Sequence, residues 1–397
     1  TDVQTIIDLK HVHTKEVTVS KQNYIMLTCD SDFVCYDNND IRKYNSIVLD
    51  PMTRSILSVT PPMSYELEAF KNLYPNNTED GTNDTIMVEE MIEGLSFTIF
   101  FDYRIKQWEM TTRNSVGGNY SYYRMANSKS KTFKEMLFDF LLLDTKIHTL
   151  NDWECLQSID RKSCYHFILQ HPENHIVLNN TIPKLYYTGM HECHIEGIMN
   201  KIRYVSCHWK QVFSNASIHI PTLYTFKNDF DDTIADYNPD SLDHHMGIGF
   251  LHKYTGDRTF IVHSKYKTLQ TLRGTHPNMM FQYICLRRIS KVHDFLYHFP
   301  QYKPVFWTFF QLYETLVARI HSAYLAYYIQ KSGKHVEKYI FYHVSQIHHT
   351  IFKPSLNDEQ RVIVKKSVVR NYLDGLSPGN VLHMLQNDKY KEDNIIQ

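Results

Sequence analysis

The stretch that most constrains the fold is Val88–Gly118, in which two apolar segments are separated by a short polar one. Leu95–Phe101 is an apolar run of strand length, Asp102–Lys106 is polar, and Trp108–Thr112 is a second candidate strand. A basic, glycine-rich segment, Arg113–Gly118, follows it. Short apolar segments bounded by turn residues are typical of paired strands. The stretch therefore predicts a strand–turn–strand hairpin whose second strand opens into a loop.

The composition limits the kinds of protein this chain can be. A length of 397 residues allows about two domains, and contents of 43% hydrophobic and 21% charged residues are ordinary for a globular protein. The formal net charge of -1 means that any RNA site has to be a local basic patch. Seven scattered cysteines favour a reducing compartment, and we expect a cytoplasmic location. No apolar run approaches the ~18 residues of a membrane helix, so we expect no membrane segment.

The tetrapeptide at the entry to the first strand of the hairpin carries a family resemblance. Met91-Ile92-Glu93-Gly94 resembles the Lys-x-Asp/Glu-Gly motif of phage-type ATP-dependent RNA ligases, with Met91 where that family has its nucleophilic lysine. Upstream, Asn45-Ser46 stand at the family's Arg-Gly, and Met63 falls near a family lysine. The resemblance implies a nucleotidyltransferase domain from which three functional cations are missing.

A second resemblance lies in Cys164–Asn180. Pro172-Glu173-Asn174-His175-Ile176-Val177 is similar to the ligase pattern x-Pro-x-Asn-Arg-Ile-Val, with His175 at the arginine. Ile168 falls where the family has a metal-binding glutamate, and an isoleucine offers no oxygen to Mg²⁺. The segment also resembles ligase-like proteins of large DNA viruses. His171, Asn174 and His175 are therefore candidate binding residues.

A third resemblance lies in Met246–Gly274, which is similar to the last two active-site strands of the family. Ile248 stands at the family's second glutamate, and Thr255-Gly256-Asp257-Arg258 predicts the hairpin turn. The family's Lys-x-Lys falls on Ile261-Val262-His263. A register shifted by four residues uses Lys265-Tyr266-Lys267 instead and keeps the same strand face, so both alignments stay open.

The loop after the hairpin allows two interpretations. Arg113 and Asn114 stand where the family has a basic loop near the nucleotide, which with Glu93 makes them candidates for contact with a phosphate or an RNA end. Alternatively, Gly117-Gly118 is a turn and Arg113 is solvated.

From about Leu286 the apolar spacing becomes helical, with aromatic residues such as Phe306 and Tyr313 recurring at intervals of three and four. We predict an α+β protein, in which an RNA-ligase-like antiparallel-sheet domain at 1–285 precedes an all-helical domain at 286–397. No metal site is predicted, because Cys193-His194 and Cys207-His208 lack the spacing of a zinc site.

The pattern of substitutions predicts a loss of catalysis. Adenylyl transfer needs an amine nucleophile, carboxylates that hold metal ions, and cations along the triphosphate. Met91, Ile168, Ile248, Ile261 and His263 supply none of these in the predicted register. We therefore expect a catalytically inactive RNA-ligase-like viral protein without a cofactor, which binds RNA, including a 5′ end or cap, or a viral protein partner.

Two alternatives remain at this point. The first is an active ligase that uses ATP, Mg²⁺ and a displaced lysine, such as Lys106, Lys265 or Lys267. The second is a structural scaffold of a virion or viral complex, which the near-neutral net charge favours over strong binding of nucleic acid.

Overall fold

The computed structural model describes most of the chain. The described residues are 12–29, 45–75, 85–122, 130–142, 147–196, 199–208, 212–213, 217–237, 246–332, 335–357 and 361–395, with the backbone alone at 193–196, 199–202, 357 and 387–395. Sheets occupy the first part of these residues and helices the last part. This order confirms the predicted α+β class with antiparallel sheets followed by a helical region.

The strands form three sheets. They are β1 Val12–Val19, β2 Gln22–Cys29, β3 Ser46–Leu49, β4 Ile56–Val59, β5 Ile86–Met91, β6 Leu95–Asp102, β7 Gln107–Thr111, β8 Ser163–Gln170, β9 Lys184–Glu196, β10 Met199–Ser206, β11 Ile218–His219, β12 Leu223–Tyr224, β13 Gly247–His252 and β14 Arg258–Val262. The strand orders are β1-β2-β3-β4, then β10-β9-β8-β6-β7 with β11 beside β9, and β12-β5-β13-β14. Of the pairs that build these sheets, only β11–β9 is parallel in the described residues.

The α-helices lie between and after these strands along the chain. They are α1 Leu67–Leu73, α2 Phe133–Leu141, α3 Phe230–Asp236, α4 Ser264–Arg273, α5 Met279–Arg288, α6 Val292–His298, α7 Lys303–Tyr324, α8 Lys338–Ile347, α9 Lys366–Gly375 and α10 Pro378–Ile395. Helix α2 begins with a capping box, in which Thr132 and Glu135 satisfy each other's backbone N–H groups. Every helix in the described residues is too short or too polar to cross a lipid bilayer.

Each sheet buries a face that its sequence makes apolar. The hairpin of β6 and β7 forms as predicted, with Asp102 opposite Gln107. Leu95, Phe97 and Ile99 of β6 pack with helix α2 in one core cluster. On the β5-β13 sheet, Val88 and Phe250 pack in a separate cluster with residues of α1 and α3. Because strand side chains alternate, the opposite face of each sheet is left for other contacts.

The described residues divide into two compact units, one up to Gln270 and one from Thr271. This division lies ahead of the predicted boundary at 285/286. Helix α5, which the sequence prediction assigned to the first domain, packs with α7, α9 and α10 instead. Its buried residues include Met280, Tyr283 and Ile284, and this apolar surface accounts for its place among the C-terminal helices.

Candidate functional site

An open cleft of about 560 Å³ lies in the first unit between the β5-β13-β14 sheet and strands β6, β8 and β9. A volume of this size is typical of small-ligand sites. The cleft is lined by Asn45, Thr60, Pro61, Pro62, Met63, Ser64, Glu66, Glu89, Glu90, Met91, Ile92, Gly94, Ser96, Phe97, Thr98, Arg113, Ile168, Thr188, Pro221, Arg258 and Phe260.

Strand alternation explains which side chains reach the cleft. On β6, Ser96 and Thr98 line it, whereas Leu95 and Ile99 lie in the core on the other face. On β8, Ile168 lines the cleft, and it pairs with Ser96. Because side chains on a strand alternate between its two faces, Ser96 and Thr98, which are two residues apart, both face the cleft.

The structure brings together several positions that the sequence resemblance singled out. Met91 and Ile168 both line the cleft, and so do Asn45 and Met63, which the sequence resemblance places at and near two cations of the family. Arg113 lines it as well, with Nη2 donating a 2.9 Å hydrogen bond to the carbonyl of Cys29. The cleft therefore holds a thioether and an alkyl group at the two positions that the sequence resemblance assigned to an amine and a carboxylate.

Two other such positions face away from the cleft. Ile248 is paired with Ile261 across β13 and β14, and both pack in the cluster that contains Phe250. On the opposite face, β14 presents Arg258 and Phe260 to the cleft. His263 follows the strand, and its N–H donates to the carbonyl of Met246. Ile248 and Ile261 are therefore core residues and do not contribute to the surface of the cleft.

The lysines proposed as displaced nucleophiles for an active ligase lie elsewhere. Strand β14 ends at Val262 and helix α4 begins at Ser264, so the shifted register, in which Lys265 and Lys267 occupy a strand face, is wrong. Both lysines are exposed on the helix. Lys106 is exposed in the β6–β7 turn with a φ of 53°. Among the described residues that line the cleft, none is a lysine.

The hydrogen-bonding capacity of the Glu93 carboxylate is used by other residues of the protein. The carboxylate accepts hydrogen bonds from the backbone N–H groups of Ile176, Val177 and Leu178, the last at 3.0 Å. The Tyr266 hydroxyl donates to the same carboxylate at 2.7 Å. A carboxylate with four donors is saturated, so the geometry gives Glu93 a structural role.

The remaining candidate residues form a turn outside the cleft lining. His171 Nε2 lies 3.0 Å from Asp139 Oδ2, and the N–H of Asn174 donates to the His171 carbonyl at 3.0 Å. His175 Nδ1 is 2.7 Å from the Pro172 carbonyl oxygen. Asn114 is exposed and does not line the cleft either.

Arg258 is the cleft residue that the sequence analysis missed. It was assigned to the hairpin turn, but it is the first residue of β14 and is only 8% exposed. Its guanidinium stacks on the Tyr204 ring at 4.9 Å, and Nε and Nη2 have no hydrogen-bond partner. Counting by twos back from Phe260, which lies opposite Gly249, was the signal that would have placed it on the cleft face.

Glutamates balance the arginines of the cleft. Glu89 is 7% exposed and its Oε2 has no hydrogen-bond partner, with His208 Nε2 at 3.6 Å. Glu90 Oε2 accepts from the Thr222 hydroxyl at 2.9 Å, and Glu66 is exposed. The charged lining residues are thus three glutamates and two arginines, so the local basic patch in the cleft consists of Arg113 and Arg258.

A buried histidine pair lies behind the cleft. Thr98 Oγ1 is 2.9 Å from His166 Nδ1, and His166 Nε2 is 2.6 Å from His191 Nδ1. Burial, with the charge of Arg258, lowers the pKa of His191 to about 3. Burial, then His191 and Arg258, lowers the pKa of His166 well below its usual range. Both rings are therefore neutral, with one imidazole donating to the other.

Metal-ligating residues do not cluster in the described part of the chain. Among these residues, no three histidine, cysteine, aspartate or glutamate side chains lie close enough to hold an ion. Cys207 is buried in the main core, whereas its neighbour His208 approaches Glu89. The side chains of Cys193 and His194 lie outside the described residues.

Comparisons with known proteins find likeness in structure alone. No protein-family model matches the chain, and no curated protein matches it. The chain is similar to a mutant of the Naegleria gruberi RNA ligase with ATP and Mn, with 12% identity and a TM-score of 0.35 over 66% of this chain and 80% of that one. It is also similar to an archaeal ATP-dependent RNA ligase, with 9% identity and a TM-score of 0.40 over 91% of this chain and 82% of that one. At identities this low, the function has to be argued from the chain's own residues.

Proposed function

We propose that the cleft binds the phosphorylated 5′ end of an RNA without forming a covalent bond to it. In this proposal the chain is a catalytically inactive, RNA-ligase-like protein. The observation that carries the proposal is Arg258, a nearly buried arginine that lines the cleft and leaves two guanidinium nitrogens without partners.

An unpaired buried charge is expensive, because its lost hydration is not replaced. No carboxylate pairs with Arg258 in the described residues, and its guanidinium lies over the Tyr204 ring, 4.9 Å from the ring centre. A phosphate in the cleft would give the guanidinium the planar, charge-assisted hydrogen bonds that suit it best. Arg113 supports the same ligand, because its Nε is also buried without a partner and its side chain lines the cleft.

The same lining residues do not support a covalent step. Adenylylation of the family's kind needs an amine beside the α-phosphate. The described residues of the cleft supply methionine at that place and no lysine elsewhere. The guanidinium group of an arginine is a poor nucleophile, so the cleft is suited to binding rather than transfer.

Fluorescence anisotropy tests the proposal with a short labelled RNA that carries a 5′ phosphate and with the same RNA carrying a 5′ hydroxyl. We expect the phosphate to tighten binding, and we expect R258Q and R113Q each to weaken binding of the phosphorylated RNA by about tenfold or more. Binding of the 5′-hydroxyl RNA should change little.

The exposed arginine Arg54 provides the matched control, because it does not line the cleft. R54Q should bind like wild type. R258K, which keeps the charge but loses the planar fork, should fall between wild type and R258Q. Equal affinity for the two RNA ends, or the same weakening in R54Q as in R258Q, would overturn the proposal.

A second candidate function is that of a scaffold for a protein partner, such as another component of a large DNA virus. It is favoured by a groove of about 700 Å³ in the second unit, where Tyr297 is 76% and Trp307 is 60% exposed. Exposed aromatic side chains of this kind are typical of protein interfaces. If W307A abolishes a stable protein complex while 5′-phosphate binding is unchanged, the scaffold function stands beside the first.

A further inference from the structure

We infer that the cleft selects ligands with a single phosphate monoester and rejects nucleoside triphosphates. This inference rests on the proposed function and specifies its ligand. The observation behind it is the charge of the lining, where three glutamates, Glu66, Glu89 and Glu90, face the same space as the two arginines.

Glu89 is a buried glutamate of the cleft. It is only 7% exposed and lines the cleft from β5, where it is paired with Gly249 on β13. No hydrogen bond satisfies its Oε2, and His208 Nε2 lies 3.6 Å from that oxygen. A Cβ at Gly249 would lie 2.8 Å from the Phe260 ring and 3.7 Å from Glu89 Cγ, so the absence of a side chain there leaves room for the Phe260 ring next to Glu89.

A second carboxylate is held at the same cleft. Glu90 Oε2 accepts hydrogen bonds from the backbone N–H and the hydroxyl of Thr222, at 3.2 and 2.9 Å. These two hydrogen bonds hold the Glu90 carboxylate in position at the cleft. Glu66 adds a third carboxylate from the exposed start of α1.

The charges of the ligand and of the cleft decide the selection. A phosphate monoester carries a charge of about -1.5 to -2 near neutral pH, which two guanidinium groups compensate. A triphosphate carries roughly two further negative charges, and these would lie among carboxylates in a partly desolvated cleft. Like charges interact there more strongly than in bulk water, because the effective dielectric constant is lower.

A divalent cation is the usual means of lowering the charge of a triphosphate. In the described part of the chain, no three metal-ligating side chains converge. Triphosphate brought as its Mg²⁺ complex would thus have to rely on the nucleotide and water for most of the coordination. We therefore expect Mg²⁺ to reduce the discrimination without reversing it.

Competition binding tests the inference. A labelled 5′-phosphorylated RNA bound to the full chain is displaced with AMP, ADP or ATP, first in EDTA and then in Mg²⁺. We expect AMP to compete at least about tenfold better than ATP in EDTA, with ADP between them. In E89Q the ratio of ATP to AMP inhibition constants should fall by about threefold or more, because a repulsive charge is removed and the side-chain shape is kept.

Two further variants keep the test sharp. E66Q removes an exposed carboxylate of the same cleft and should also lower the ratio of ATP to AMP inhibition constants. This variant provides the test if E89Q does not fold. E154Q removes an exposed carboxylate that does not line the cleft and should leave the ratio unchanged. ATP competing as well as AMP, in either buffer, would overturn the selection. If neither the RNA nor any nucleotide binds, the proposed function itself fails.

Discussion

The Tyr266 hydroxyl donates a 2.7 Å hydrogen bond to Glu93 Oε2, and this contact joins helix α4 to the entry of strand β6. The same carboxylate accepts from three consecutive backbone N–H groups at 176–178. The glutamate of the tetrapeptide motif thus fixes the loop that follows β8, and both residues are buried.

Removal of this carboxylate should destabilise the first unit. E93A would leave three backbone N–H groups and the Tyr266 hydroxyl without a buried acceptor, so we expect a loss of about 3–5 kcal/mol in the free energy of unfolding. Y266F removes one donor of four and should cost about 1–2 kcal/mol. Urea unfolding followed by circular dichroism measures both. A loss in E93A no greater than that in Y266F would contradict this role.

The stability of the protein should also depend strongly on the ion pair between Asp102 and Arg104. Asp102 is fully buried, and Arg104 binds both of its oxygens, at 3.0 and 2.7 Å, while Tyr24 donates at 3.0 Å. Burial alone would raise the pKa of Asp102, but the hydrogen bonds and charge of Arg104 hold that pKa below its usual range. R104A leaves the carboxylate buried and unpaired, so we expect a loss of about 3–5 kcal/mol at pH 7.

The pH dependence of the Arg104 effect provides its check. A group whose pKa is depressed by folding contributes stability above its unfolded pKa, and this contribution is lost as the pH falls through the folded pKa. The difference between wild type and R104A should therefore shrink below about pH 4. A difference that is constant from pH 7 to pH 3 would show that lost packing, not the charge pair, explains the effect.

The His166–His191 pair predicts destabilisation in mild acid. Folding lowers both pKa values, by burial first. The unfolded chain therefore binds protons more readily, and stability that is present above about pH 6.5 is lost as the pH falls below it. We expect both histidines to contribute to a loss between pH 6.5 and 5, of which His191, with a folded pKa of about 3, accounts for about 1.7 kcal/mol. The variant H191Q should show a shallower dependence in urea unfolding, and an unchanged slope would contradict the assignment.

A lysine at position 91 should improve binding and leave catalysis absent. M91K adds an ammonium group to the cleft, and we expect it to bind 5′-phosphorylated RNA about threefold more tightly. Because Ile168 offers no oxygen to a metal ion, we expect no adenylylated protein with ATP and Mg²⁺. The control is M52K, at a methionine that is 90% exposed and does not line the cleft. An adenylate on M91K alone would show that one substitution had removed catalysis.

Local features of the fold could be predicted from the sequence. The β6–β7 hairpin has a polar turn between apolar segments, and the helical spacing after Leu286 gives α7 a continuous apolar stripe that includes Phe306, Tyr313 and Ile320. Helix α10 begins at Pro378 after Ser377, whose Oγ accepts from the N–H of Asn380, as a proline at the first position suggests.

The direction of side chains on β13 and β14 could not be predicted in the same way. Residues 248–251 read Ile-Gly-Phe-Leu and are all buried, so no alternation of polar and apolar residues marks the cleft face. The cleft face of β13 is identified by the pairing of Gly249 with Glu89 and Phe260, which both line the cleft. For the same reason Arg258 was assigned to the turn. The partners of Glu93 were also hidden, since they lie 83 or more residues away in the chain.

Intact-protein mass spectrometry after incubation with ATP and Mg²⁺, combined with equilibrium dialysis against labelled AMP, tests the central claim most directly. The account predicts an unmodified protein mass together with reversible AMP binding that is weakened about tenfold in R258Q. A protein heavier by one adenylyl group, on any lysine, would contradict it.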